Sequence, residues 1–153
     1  MPVLNYEVLL RATLDRDHVG AGPYGERTIF TLTGGEFVGE RLNGRLIGAG
    51  ADWVVRSPDG FGQVDARYTV RTPDGASIYV RHAGVVERTP EIRAIVDGGD
   101  RDTEFGDQYW FTSVRMETGD DRYSWVNRTI FVSAGRLLRG PNVEHRIYRL
   151  DND

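Results

Sequence analysis

Asp65 and Arg67 stand two residues apart in the run Gln63-Val64-Asp65-Ala66-Arg67-Tyr68. On a β-strand that spacing puts both side chains on one face. If the face lines a closed cavity, both charges lose water. The carboxylate then either pairs with Arg67 or Arg81, or rises in pKa toward the range a general acid or base needs. Tyr79 is placed to donate a hydrogen bond to a developing oxyanion, or to be a core aromatic with a satisfied hydroxyl. Glu117 precedes the turn Gly119-Asp120-Asp121-Arg122, and Tyr123, Trp125 and Asn127 alternate after it. A carboxylate, an indole and an amide on one face make a ligand clasp; the plainer reading is a turn carboxylate capping backbone amides. Asp52, beside Trp53, offers the same choice between function and structure.

Other chemistries lack their residues. The 153-residue chain contains no cysteine, and all 19 of its basic residues are arginine. Disulfides, thiolate metal sites, a cysteine nucleophile and Schiff-base lysine chemistry are therefore excluded. His18, His82 and His145 have no metal-ligand spacing, so no metal is expected. No phosphate loop, dinucleotide fingerprint or Gly-x-Ser-x-Gly elbow is present. The Asn127-Arg128-Thr129 sequon carries no meaning on a chain without a visible secretory signal. A net charge of −4 argues against nucleic-acid binding. No apolar run approaches the length of a membrane helix. A cytoplasmic protein that needs no cofactor is expected.

The elements that position these residues are strands. Alternation with period two dominates, near 3–14, 27–33, 36–48, 52–57, 61–71, 76–85, 108–118, 123–134 and 143–150. Gly39 and Gly44 interrupt one run and suggest bulges or sharp coiling of a curling sheet. Ser57-Pro58-Asp59-Gly60 and Thr72-Pro73-Asp74-Gly75 read as two hairpin turns of the same design, with proline at the second position and glycine at the left-handed one. Three-residue loops fix the register: Thr69 opposite Tyr79, Arg67 opposite Arg81, Asp65 opposite Ala83, Trp53 opposite Asp65.

That register sorts two faces. Trp53, Val55, Gln63, Asp65, Arg67, Thr69, Tyr79 and Arg81 share one. Val54, Val64, Ala66, Tyr68, Val70, Ile78 and Val80 share the other, with Asp52 and His82 at one end. A solvated outer face rarely carries Trp53 and Tyr79, so the first, polar-aromatic face is expected to point into the barrel. Asp52 then lies opposite Asp65, and either the barrel bulges there or one of the two is structural. Thr89-Pro90-Glu91-Ile92 reads as the start of a short helix near 90–97, stopped by Gly98-Gly99. The acidic stretch Asp97 to Asp107 is a surface connection or a lid over an open barrel end. With large side chains on both faces of 61–71 and 76–85, a homodimer or higher homo-oligomer is expected.

Several motifs in order resemble a known family. They are Gly34-Gly35-Glu36-Phe37-x-Gly39, Leu42-x-Gly44, Gly50-Ala51-Asp52-Trp53, Asp65-Ala66-Arg67-Tyr68-Thr69, Asp74-Gly75-Ala76-x-Ile78-Tyr79, Glu117-Thr118-Gly119-Asp120 and Tyr123-x-Trp125-x-Asn127. Together they resemble domain-of-unknown-function family 3237, from about Glu7 to Leu150. The resemblance implies a closed antiparallel β-barrel, similar to lipocalins or allene oxide cyclase and often homo-oligomeric, but no assigned activity. Where the family pattern has arginine this chain has Phe111, which implies a greasier pocket and a neutral ligand.

The expected fold is thus all-β: one antiparallel barrel of about 8–10 strands spanning 1–153. Three functions fit it: a cofactor-independent cyclase, isomerase, dehydratase or lyase acting on an organic small molecule, a non-catalytic carrier of an apolar ligand, or an oligomeric structural module. The first is preferred. Asp65 is the leading proton-transfer group, Glu117 the second, and Arg67 and Tyr79 assist. Trp53, Arg81, Phe111, Tyr123, Trp125 and Asn127 are the substrate-binding candidates.

Overall fold

A computed structural model describes residues 1–153. Eight antiparallel strands close a ring in sequence order: β1 Pro2–Gly22, β2 Gly25–Gly39, β3 Gly44–Arg56, β4 Phe61–Arg71, β5 Ser77–Glu87, β6 Trp110–Glu117, β7 Phe131–Leu138 and β8 Asn142–Asn152. One helix, α1, spans Pro90–Val96 between β5 and β6, and a 3-10 helix spans Asp121–Arg128 between β6 and β7. No helix is long and apolar enough to cross a membrane.

Both expected hairpins form. Gly60 and Gly75 take φ of 89° and 92°, and their amides close turns onto Ser57 and Thr72 at 3.1 and 3.0 Å. The register follows: Thr69 pairs with Tyr79, Arg67 with Arg81, Asp65 with Ala83 and Val55 with Gln63. Thr89 caps α1 by accepting the Ile92 amide at 3.2 Å.

Three expectations change. Residues 36–48 are not one strand: Gly39 and Gly44 bracket the β2–β3 turn, where a Cβ at either would press on backbone oxygens 2.5–2.8 Å away. Residues 34–35 instead continue β2, because Gly35 lets β1 approach; a Cβ there would lie 2.2 Å from the Arg11 carbonyl. Residues 123–128 are helical rather than extended. Asp120 caps that turn through the Arg122 amide at 2.9 Å. Asn127 exchanges hydrogen bonds with the backbone of Thr118 at 2.8 and 2.9 Å, doing the work of a strand pair.

The interior is the apolar face. Val64, Ala66, Tyr68, Val70, Ile78, Val80 and His82 are buried, and the phase continues through Val114, Phe131 and Ile147. The two ends of the barrel differ. Large side chains such as Phe37, Leu42, Ile78, Phe131 and Ile147 are fully buried and pack one end solid. Glu7 closes that end, its buried carboxylate held by Arg41 at 2.6 Å and Arg149 at 3.5 Å, with Arg41 stacked 3.8 Å above Trp125. The other end, beneath α1, is hollow.

Candidate functional site

The hollow end is a cavity of about 60 Å³, counted as space open to the centre of a water-sized sphere. Such a space holds several waters or part of a small planar ligand. Fourteen of its 18 lining residues are hydrophobic; the other four are Asp52, His82, Arg88 and His145. Leu14, Phe30, and Ile92 and Val96 of α1 are among its apolar walls. An apolar pocket with few convergent polar groups is the usual form of a small-molecule site.

Asp52 reaches it by strand alternation, paired with Ala66 and in the same inward phase as Val54. The Asp65 amide, which a regular ladder gives to the Trp53 carbonyl, donates instead to Asp52 Oδ1 at 3.0 Å. The Trp53 carbonyl accepts from Arg27 at 2.8 Å. Asp52 lies inside and Asp65, in the opposite phase, outside. Burial pushes the Asp52 carboxyl up to about 7; the Asp65 amide offsets part of this and the Asp65 charge adds to it. Asp52 takes part in no salt bridge.

A buried chain of hydrogen bonds starts on the neighbouring strand β4 and links three cavity residues, Tyr68, His82 and His145. Tyr68 Oη lies 2.7 Å from His82 Nε2, His82 Nδ1 3.0 Å from Thr112 Oγ1, Thr112 2.6 Å from Ser133, and Ser133 2.9 Å from His145 Nδ1. Thr112 and Ser133 each donate one hydrogen bond and accept another, so the chain runs in one direction or the other and the two histidine tautomers are linked. Burial, reinforced by His145, holds His82 well below the usual imidazole range, and burial lowers His145 to about 4. Both rings are neutral at pH 7. Burial raises the Tyr68 hydroxyl well above its ordinary range, so it stays a donor.

The residues singled out from the sequence lie elsewhere. Asp65 sits on the outer wall, 3.3 Å from Arg67 and 3.5 Å from Arg81, and all three side chains are more than one-third exposed. Trp53, Tyr79 and Phe111 are exposed on that wall, where Arg67 stacks 5.8 Å from the Trp53 ring. Arg67 partly covers Trp53, Phe111 packs edge-on against Tyr109 with ring centroids 4.8 Å apart, and Tyr79 stays exposed. Aromatics on this wall therefore do not mark an interior. Glu117 is exposed beside Tyr79. Tyr123 donates to Asp74 at 2.9 Å, Trp125 lies under Arg41, and Asn127 holds its turn. None of the ten lines the cavity. Phe111, being outside, leaves the cavity's charge unchanged.

The cavity residues that went unselected carry a readable signal. Thr112, Ser133 and His145 occupy the inward phase of three strands, alternating with Val114, Phe131 and Ile147. Asp52 and His82 lie on the apolar face, which is the inner one and not, as expected, the outer.

Comparison with known proteins places this architecture. The family model described as "Protein of unknown function (DUF3237)" matches residues 2–150. The chain belongs to this family. A UPF0311 protein of Clostridium acetobutylicum is 30% identical over 96% of this chain and 94% of its own. The crystal structure of a conserved protein of unknown function from Rhodopseudomonas palustris superposes with a TM-score of 0.88 at 27% identity, covering 99% of both chains. A Penicillium herquei protein named hydroalkoxylation enzyme phnH is 27% identical over 66% of this chain and 52% of its own. An enzyme of known structure from Penicillium herquei shares the fold, with a TM-score of 0.72 at 20% identity over 98% of this chain and 95% of that one.

Proposed function

We propose that this member of the family is a cofactor-independent enzyme that isomerises or cyclises a small, largely apolar organic molecule inside the barrel, with Asp52 as its acid–base group. The observation that carries this reading is a single unpaired carboxyl in an apolar cavity, raised to about 7 beside a tyrosine–histidine pair. A group near neutrality serves equally as base and acid at physiological pH. The fungal relative's name supports the class: hydroalkoxylation adds O–H across C=C and consumes nothing else.

On an unsaturated carbonyl substrate carrying a hydroxyl, the Asp52 carboxylate takes the hydroxyl proton. The oxygen bonds to the β-carbon, and the π electrons move to the carbonyl oxygen as an enolate. With His82 Nε2–H donating to Tyr68 Oη, the tyrosine's single O–H is free to donate a hydrogen bond to that oxyanion. Asp52 then returns its proton to the α-carbon. One O–H and one π bond are lost, and one C–O and one C–H bond are gained.

The test is conversion of unsaturated hydroxy-carbonyl compounds in D₂O containing a chelator. The expected product has the substrate's formula with one deuterium on carbon. Asp52→Asn should lose roughly 10²–10⁴-fold in rate, and Tyr68→Phe should lose less. Absence of conversion across the series, or wild-type turnover by Asp52→Asn, counts against the proposal.

A further inference from the structure

Two donors at the cavity have no acceptor. Trp110 Nε1 is buried without a partner on a residue only 7% exposed, and Arg88 Nε is likewise buried without one. Both residues line the cavity. They are neighbours: Trp110 pairs with Val86 across β5 and β6, and Arg88 lies two positions beyond Val86 in the same inward phase. Such diagonal positions are within reach of one ligand group for long side chains.

Arg88 also lacks a counter-charge. The acids whose fields reach it are Glu26 and Asp97. Glu26 bonds Arg56 at 3.2 Å, and Asp97 bonds Arg16 at 2.9 Å. Arg56 and Arg93 repel it, and no salt bridge includes it. A guanidinium that cannot lose its proton, part-buried and unpaired, leaves a standing electrostatic deficit. Trp110 is held in place by Gly135, where a Cβ would lie 2.7 Å from the indole, and by the edge of His145, 5.2 Å between ring centroids. The indole N–H is thus fixed rather than free to turn toward a protein acceptor.

We infer that Arg88 and Trp110 form a binding subsite for an acidic oxygen group, so that the substrate is an apolar skeleton bearing a carboxylate, enolate or phenolate. The inference rests on the cavity reading above and narrows it. The group supplies the missing charge to Arg88 and the missing acceptor to Trp110, while the skeleton lies against Leu32, Val54 and Val64. Asp52, on β3, is left to meet the reacting hydroxyl.

The test uses isosteric probe pairs, benzoate with benzyl alcohol, cinnamate with cinnamyl alcohol and 2-naphthoate with 2-naphthylmethanol, measured by calorimetry with cross-competition within each pair. Wild type should bind the carboxylate at least about tenfold more tightly, as expected for charge-assisted hydrogen bonds. Arg88→Gln should abolish that preference and leave the alcohol unchanged. Trp110→Phe should weaken the carboxylate several-fold. Both variants should fold, since neither donor has a protein partner to lose. Equal affinity for the two members of each pair, or a preference that survives Arg88→Gln, overturns the acidic-oxygen inference and leaves the cavity reading standing. Binding of neither member of any pair overturns both.

Discussion

Replacing Asp52 with asparagine should stabilise the protein at alkaline pH while removing its acid–base group. The native carboxyl keeps its proton to about pH 7, whereas the unfolded one loses it near 3.8. Between these values the native state binds more protons, so stability falls as pH rises. Below 3.8 the contribution is intact; above 7 it is lost. At 1.36 kcal/mol per pH unit, the full window is on the order of 4 kcal/mol, of which about 1.5 is already spent at pH 5. Asparagine keeps the oxygen that accepts the Asp65 amide but brings unpartnered N–H groups, a cost of about 1–3 kcal/mol that does not vary with pH. The robust quantity is therefore the pH dependence of the difference. The stability of Asp52→Asn relative to wild type should rise by about 2.5–3 kcal/mol between pH 5 and pH 8. Urea unfolding of both proteins at the two pH values measures it, and subtraction cancels every other titrating group. A difference independent of pH would refute the claim that Asp52 is a buried, unpaired carboxyl.

Three further outcomes follow from the same geometry. Burial lowers His145 to about 4 when folded against about 6.5 when unfolded, so the unfolded state takes the proton first and the His145 contribution to stability should fall by up to about 3 kcal/mol from pH 6.5 to 4; because Asp52 contributes with the opposite sign over the same range, it is read as the pH dependence of the difference between wild type and His145→Gln in urea titrations. Gly135→Ala puts a methyl within 2.7–2.9 Å of Trp110 and His145, and should cost about 1–3 kcal/mol and displace both rings, read as a lower melting temperature and weaker carboxylate binding. Asp65→Asn alters an exposed ion pair and should change stability by less than about 1 kcal/mol with turnover intact; a large loss of turnover would restore Asp65 as a catalytic candidate.

The strand register was legible because Pro-Asp-Gly turns fix it from a few local residues. Pairing Thr69 with Tyr79 also sorted every side chain of β4 and β5 correctly onto one of two faces. The face expected to be inner, that of Trp53, Asp65 and Tyr79, is the outer one. Trp53, Tyr79 and Asp65 with its arginines look like a pocket when solvent is ignored, yet stacked arginine makes the same composition stable in water. The single residues on the apolar face, Asp52 and His82, were the informative ones, since a polar group in an apolar phase needs a reason. Strands β6 to β8 lack such turn signals. Thr112, Ser133 and His145 come together through the pairing of neighbouring strands across β5 to β8, at separations of 12 to 30 residues that local pattern does not report. In the 3-10 segment Tyr123, Trp125 and Asn127 alternate in type as a strand would, but the hydrogen bonds of Asp120 and Asn127 to backbone decide its conformation.

The division of the barrel into a solid end and a hollow end has an evolutionary consequence. Phe37, Leu42, Ile78, Phe131 and Ile147 carry the packing, whereas Leu14, Phe30, Val54 and Val96 border empty space. Drift at the first group meets close-packed neighbours and is filtered by folding. Exchange at the second is absorbed by the void, within the limits of volume and polarity. A lineage with this architecture can change the shape of what it admits one wall residue at a time, each intermediate remaining a folded protein. Selection on chemistry and selection on stability then act on different residues of one small domain.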